Sequence, residues 1–155
     1  MQGGSVSIHN YAEHSQFGDI IKRMHNGEVS GSNMYYVLAW IAREKGYDDL
    51  FDALMKNAAE DSLHGGMYGA MLGKAKAGEE DFWHMVVNFY RLESQAGPQL
   101  QEMADKVRAA GEEVLARCIE STIDEESEHA RRLEDVFKSR GISWQQYPCR
   151  VTEPS

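Results

Sequence analysis

Four acids and two histidines stand out in this sequence for their spacing: Glu28, Asp61, His64, Glu93, Glu126 and His129. Asp61 follows Glu28 by 33 residues, and Glu126 follows Glu93 by the same 33. Each second acid has a histidine three residues on, so Asp61-x-x-His64 and Glu126-x-x-His129 can each present both side chains on one helix face. Carboxylate and imidazole so placed can hold a cation or exchange protons. One acid-x-x-His in so acidic a chain carries almost no weight. Two of them, each with a matched acid upstream, carry a good deal.

The segments that must position these groups read as four long helices. The first runs from about Gln16 to Lys45 and stops at Gly46, and the second from about Asp48 to Lys76, short of Gly78. The third spans about Glu79 to Ala109, with a kink expected at Gly97-Pro98, and the fourth about Glu112 to Ser139, ended by Gly141. Alternating steps of four and three residues give each helix an inward stripe. The stripes are apolar at their ends (Phe17, Met24 and Leu38; Leu50 and Leu54; Phe82, Phe89 and Met103; Leu115, Leu133 and Val136). Their ionisable groups fall only near the middle, and no Lys or Arg lies on any of them.

Buried unpaired charges cost several kcal/mol each, and like charges close together cost more. Two divalent cations would balance the four carboxylates, with the two imidazoles completing their shells. A mixed oxygen and nitrogen set suits iron or manganese, including a mixed pair. The pattern is that of di-iron and di-manganese bundles, where a Glu from each of two helices meets a Glu-x-x-His from each of the other two. Asp61 departs from it by one methylene. Glu60 is the alternative acid on that helix, but it sits off the stripe.

With 155 residues, the chain reads as one all-α domain over 1–141 and a tail over 142–155, where Trp144 and Tyr147 are expected to pack on the helices. A formal net charge of −9 argues against nucleic acid or an anionic membrane as partner. Only Cys118 and Cys149 are cysteines, which leaves no four-cysteine metal module and no disulfide framework. No secretory pattern or membrane-length apolar run is visible, so a cytoplasmic location is expected. His9, His14, His25 and His84 lack partners at ligand spacing and read as surface or satisfied residues. Gly65, Gly66, Gly69 and Gly73 would either open a cavity or let helices pack closely.

At these residues the sequence resembles the rubrerythrin branch of the ferritin-like superfamily. Gly27-Glu28, Asn33, Tyr35 and the closing Gly46-Tyr47 resemble that family's first-helix pattern. The resemblance covers about residues 16 to 140. It implies a ferritin-like four-helix bundle, a non-haem centre of two iron ions, and reduction of hydrogen peroxide or dioxygen in oxidative-stress defence. Tyr35 and Tyr68 fall on the stripes near these acids, and Tyr35 reads either as a catalytic residue that bonds a ligand carboxylate or passes an electron, or as a core tyrosine with its hydroxyl satisfied. Three departures bear on function. The family's four-cysteine rubredoxin module has no counterpart here, so an external, rubredoxin-like electron donor is expected. The family's further carboxylate, three residues after the third-helix ligand, is replaced by Ala96. Ser62 stands where haem-binding relatives carry Met, so no haem is expected.

Ferritin-like bundles join their second and third helices by a long crossover. The few residues around Gly78 cannot span one, so the expected state is a homodimer with exchanged helix pairs, or else an up-down-up-down bundle. Two other functions stay open at this point: Fe(II) oxidation and iron binding as in ferritins, and oxygenation of an organic substrate.

Overall fold

A computed structural model describes residues 7–148. All its regular structure is helical: α1 Gly18–Glu44, α2 Asp48–Met71, α3 Glu79–Ala109, α4 Glu113–Glu120 and α5 Ile123–Arg140, then a single tight turn over Trp144–Gln146. The expected all-α class is the observed one. The chain divides between Ala77 and Gly78 into two compact units. Unit 1 packs α1 on α2, and unit 2 packs α3 on α4 and α5.

The seam of unit 1 is made of small residues. Ser32, Ala39 and Ala42 are buried on α1, and Ala58, Gly65 and Gly69 on α2. A Cβ added at Gly65 would lie 3.2 Å from Val29 Cγ2, and one at Gly69 would lie 3.3 Å from His25 Cε1. These two glycines therefore serve close helix packing, not a cavity. Helix α1 ends where Gly46 takes φ +73, the left-handed conformation that terminates helices at little cost to glycine. Helix α2 stops at Met71, short of the expected Lys76, and Gly73 turns left-handed at φ +67. The segment preceding α1 covers that end: Asn10 and Ala12 donate backbone N–H bonds of 2.9 Å to the carbonyls of Ala70 and Met71. Carbonyls that a longer helix would have paired internally are satisfied from outside it.

In unit 2, α3 opens on Glu79, Glu80 and Asp81 and closes on Lys106 and Arg108, charges that suit the helix dipole at each end. It continues through Pro98 without a break. The single fourth helix expected from the sequence is two helices. Ser121 Oγ donates to the Cys118 carbonyl at 2.8 Å and Thr122 Oγ1 to that of Ile119 at 2.9 Å. Such local bonds compete with helix continuation, and α5 restarts with Asp124, Glu125 and Glu126 in its first turn. The core of this unit is Trp83, Val87 and Phe137, with Tyr90, Leu133 and the tail residues Trp144 and Tyr147 packed against it. Arg91 secures the tail by donating to the carbonyls of Trp144 and Tyr147. Cys149 lies outside the described residues.

Two predictions follow from these packings. A Cβ at Gly73 would meet Asn10 Oδ1 at 2.5 Å in a left-handed backbone, whereas one at Gly66, inside α2, meets nothing within 4 Å. Urea denaturation should show Gly73→Ala destabilised by about 1–3 kcal/mol and Gly66→Ala stabilised by about 0.5–1 kcal/mol. The hydrogen bond from Arg108 to Glu120, at 2.6 Å, holds that carboxyl below its ordinary range. Its stabilisation is complete above the unfolded-state pKa and is lost as pH falls through the lowered folded value. An Arg108→Met chain should therefore lose less stability than the parent between about pH 5 and pH 3, read from melting temperatures across that range.

Candidate metal centre

Each unit gathers one half of the sequence-predicted site. Unit 1 brings Glu28 of α1 to Asp61 and His64 of α2, with His64 Nδ1 3.9 Å from Glu28 Oε1 and 4.0 Å from Asp61 Oδ1. Unit 2 brings Glu93 of α3 to Glu126 and His129 of α5, with His129 Nδ1 3.3 Å from Glu93 Oε2 and 3.4 Å from Glu126 Oε2. In both clusters one donor atom from each residue lies within 4.8 Å of the other two. Every member of the second set lies 65 positions after its counterpart in the first. The carboxylates are about three-quarters buried, with 25–29% of each side chain exposed. Among the described residues no Lys or Arg pairs with them.

Local structure explains the convergence. Gly65 lets α1 and α2 approach beside the Asp61–His64 turn, since a Cβ there would also sit 3.5 Å from Glu28 Cβ. His25, one turn before Glu28, has Nδ1 2.8 Å from the Gly65 carbonyl and so ties α1 to that turn. Gly31 leaves space in front of Asp61, whose Oδ2 would lie 3.5 Å from a Cβ added there. In unit 2 the break at Ser121–Thr122 sets the phase of α5 and puts Glu126 in its first turn. Gly97 is buried where α3 meets Ile123 and Ser127, 3.6 Å from each by an added Cβ.

These donors fit a divalent cation. Bonds of about 2.1 Å at angles between 90° and 109° separate ligand atoms by about 3.0–3.4 Å, which small side-chain rotations reach from the spacings seen. Three donors from each unit leave room for further ligands on a six-coordinate ion, and the mix of carboxylate and imidazole is the one iron and manganese favour. Asp61 joins its cluster, while Glu60 is exposed. Tyr35 is half-buried on α1, seven residues beyond Glu28. His9 has Nε2 2.5 Å from the Ala75 carbonyl, and His14 is exposed. His84 departs from the sequence reading: it is 6% exposed, and its Nδ1 finds no partner.

Paired acid and acid-x-x-His sets on helical hairpins are the ligand arrangement of ferritin-like dinuclear-metal proteins. Residues 84–152 match the family model described as Rubrerythrin, which agrees with a ferritin-like di-iron domain of that kind. The match takes in Glu93, Glu126 and His129 and covers less than half the chain. Glu28, Asp61 and His64 lie outside it. No curated protein and no solved structure matches the chain.

Changes behind a metal ligand typically cost 10–100-fold in affinity, so loss of a ligand should cost at least about tenfold. Competition with a chromophoric chelator should show Glu126→Gln and Asp61→Asn weakened to that extent for Fe(II), and Glu60→Gln unchanged. Unaltered affinity in Asp61→Asn with a loss in Glu60→Gln would move the ligand by one position.

Proposed function

We propose that the protein is a non-haem di-iron oxidoreductase that reduces hydrogen peroxide or dioxygen with electrons from an external donor. The observation that carries this reading is the doubled cluster: Glu28, Asp61 and His64 in one unit, and Glu93, Glu126 and His129 in the other. The family match over the second of these supports it.

With both ions bound, two Fe(II) would supply one electron each, which with two protons converts one hydrogen peroxide to two waters; the donor then restores the ferrous pair. The protein's own groups have distinct tasks. The four carboxylates would balance two divalent ions and offset four of the six charges of the oxidised pair. The histidines supply neutral donors, and Asp61, one methylene shorter than Glu, binds from closer to its helix. Tyr35 is the candidate for hydrogen bonding to a ligand carboxylate or for electron transfer.

A second reading, oxygenation of a small apolar molecule, draws on one feature of unit 2. An open recess of about 340 Å³ is lined by Leu92, Ala96, Leu100 and Met103, with Glu93 and Glu126 at its edge. Ala96 lines it together with Gln99.

Loading with Fe(II) under argon, followed by separate hydrogen peroxide and dioxygen challenges, tests the proposal. Absorbance should show peroxide oxidising the iron faster, with ferrous protein regenerated by added reductant. Faster oxidation by dioxygen with iron accumulating beyond the ligand count would favour storage instead.

A further inference from the structure

The acids and histidine of unit 2 tie their own helices together, and those of unit 1 do not. His129 Nδ1 stands 3.3 Å from Glu93 Oε2, a long hydrogen bond between α5 and α3. The matching separation of His64 Nδ1 from Glu28 Oε1 is 3.9 Å, beyond hydrogen-bond reach. In unit 1 the spacing of α1 and α2 is therefore left to other contacts.

His25 supplies such a contact beside the cluster. Its Nδ1, on α1 three residues before Glu28, lies 2.8 Å from the carbonyl of Gly65, the residue that follows His64 on α2. A carbonyl oxygen only accepts, so Nδ1 carries the proton and donates it. That oxygen has two lone pairs, so the bond can add to the helix ladder of α2 without replacing a member of it. Two glycines make room for this arrangement. A Cβ at Gly65 would press on Val29 and Glu28, at 3.2 Å and 3.5 Å, and one at Gly69 would meet the His25 ring at 3.3 Å from Cε1 and 3.6 Å from Nδ1.

The corresponding place in unit 2 is built otherwise. Counted 65 positions on, His25, Gly65 and Gly69 become Tyr90, Ala130 and Glu134. The Tyr90 ring packs on Phe137 and Trp144, with centroids 5.3 Å and 5.1 Å away. Tyr90, Ala130 and Glu134 border an open recess of about 280 Å³. Unit 2 thus spaces its helices with an aromatic core and a bond within the cluster. Unit 1, whose buried residues are Ser, Ala and Gly, has the His25–Gly65 bond at that level.

We infer that His25 is a positioning residue for the cluster of unit 1: its bond to Gly65 holds Glu28 at the separation from Asp61 and His64 that a metal ion needs. The cluster of unit 2 owes it nothing. The inference rests on the metal reading above. A group of this kind raises affinity by fixing the donors on folding, so that less freedom is lost when the ion binds.

Titration of the full chain with Mn(II), followed by broadening of assigned amide resonances, reads the two clusters separately. Gly31 and Gly66 report on unit 1, and Ala96 and Ala130 on unit 2. In His25→Leu, broadening at Gly31 and Gly66 should need at least about tenfold more Mn(II), the loss typical of a removed supporting group, while Ala96 and Ala130 titrate as in the parent. His25→Asn, whose amide N–H can replace Nδ1–H, should restore the parent curve. Parent-like binding at unit 1 in His25→Leu overturns the inference. So does an equal loss at both clusters, or a His25→Asn chain as weak as His25→Leu, since either result reduces His25 to general packing. If His25→Leu folds badly, Gly69→Ala carries the test: helix propensity favours it, yet it crowds the ring, and the same loss confined to unit 1 is expected. A parent chain that binds no Mn(II) at either cluster overturns the metal reading itself.

Discussion

Glu28 and Asp61 are held with donor atoms within 4.8 Å around His64, and Glu93 and Glu126 repeat this around His129. Two carboxylates at that distance repel by roughly 1 kcal/mol in water-like surroundings and about 3–4 kcal/mol where burial lowers the effective dielectric constant to about 20. No basic side chain among the described residues relieves either pair. A divalent cation held in each cluster would relieve that repulsion. Much of the rest of the structure can be understood as arranging that encounter.

The small-residue seam of unit 1 is one such arrangement. Ala39, Ala42, Ala58 and Gly65 bring the helix axes close enough for a short acid, Asp61, to meet Glu28 across the groove. Unit 2 reaches the same geometry by different means. It has an aromatic core of Trp83, Tyr90 and Phe137, a tail fastened by Arg91, and a helix restarted just ahead of Glu126. Neither hairpin covers its ligand-bearing face with its own large side chains.

The two clusters were legible in the sequence because their chemistry is discrete: few residue types serve, and the i, i+3 spacing leaves little freedom. The long helices were legible from periodicity and from glycines at their ends, of which Gly46 and Gly141 take the left-handed turns expected. The break between α4 and α5 was not, because Ser121 and Thr122 are tolerated inside helices and end one only when their hydroxyls bond back to the carbonyls. The early end of α2 was hidden for another reason. It depends on Asn10 and Ala12, some 60 residues away in the sequence, and local propensity carries no such information. The seam was legible only in part: close packing was one of two readings of Gly65 and Gly69, but Ala39 and Ala58 give almost no hydrophobic signal, and the stripe read as inward carries residues that stay exposed. His84 was lost in the same way, since burial of a lone histidine depends on tertiary neighbours such as Tyr147.

The central claim is that each of the two clusters holds a metal ion. Electron paramagnetic resonance of the full-length protein loaded with Mn(II) addresses it most directly. The free-ion signal should stay suppressed until the cluster in each unit has taken up its ion, two per chain. A free-ion signal that grows from the first equivalent would contradict the account.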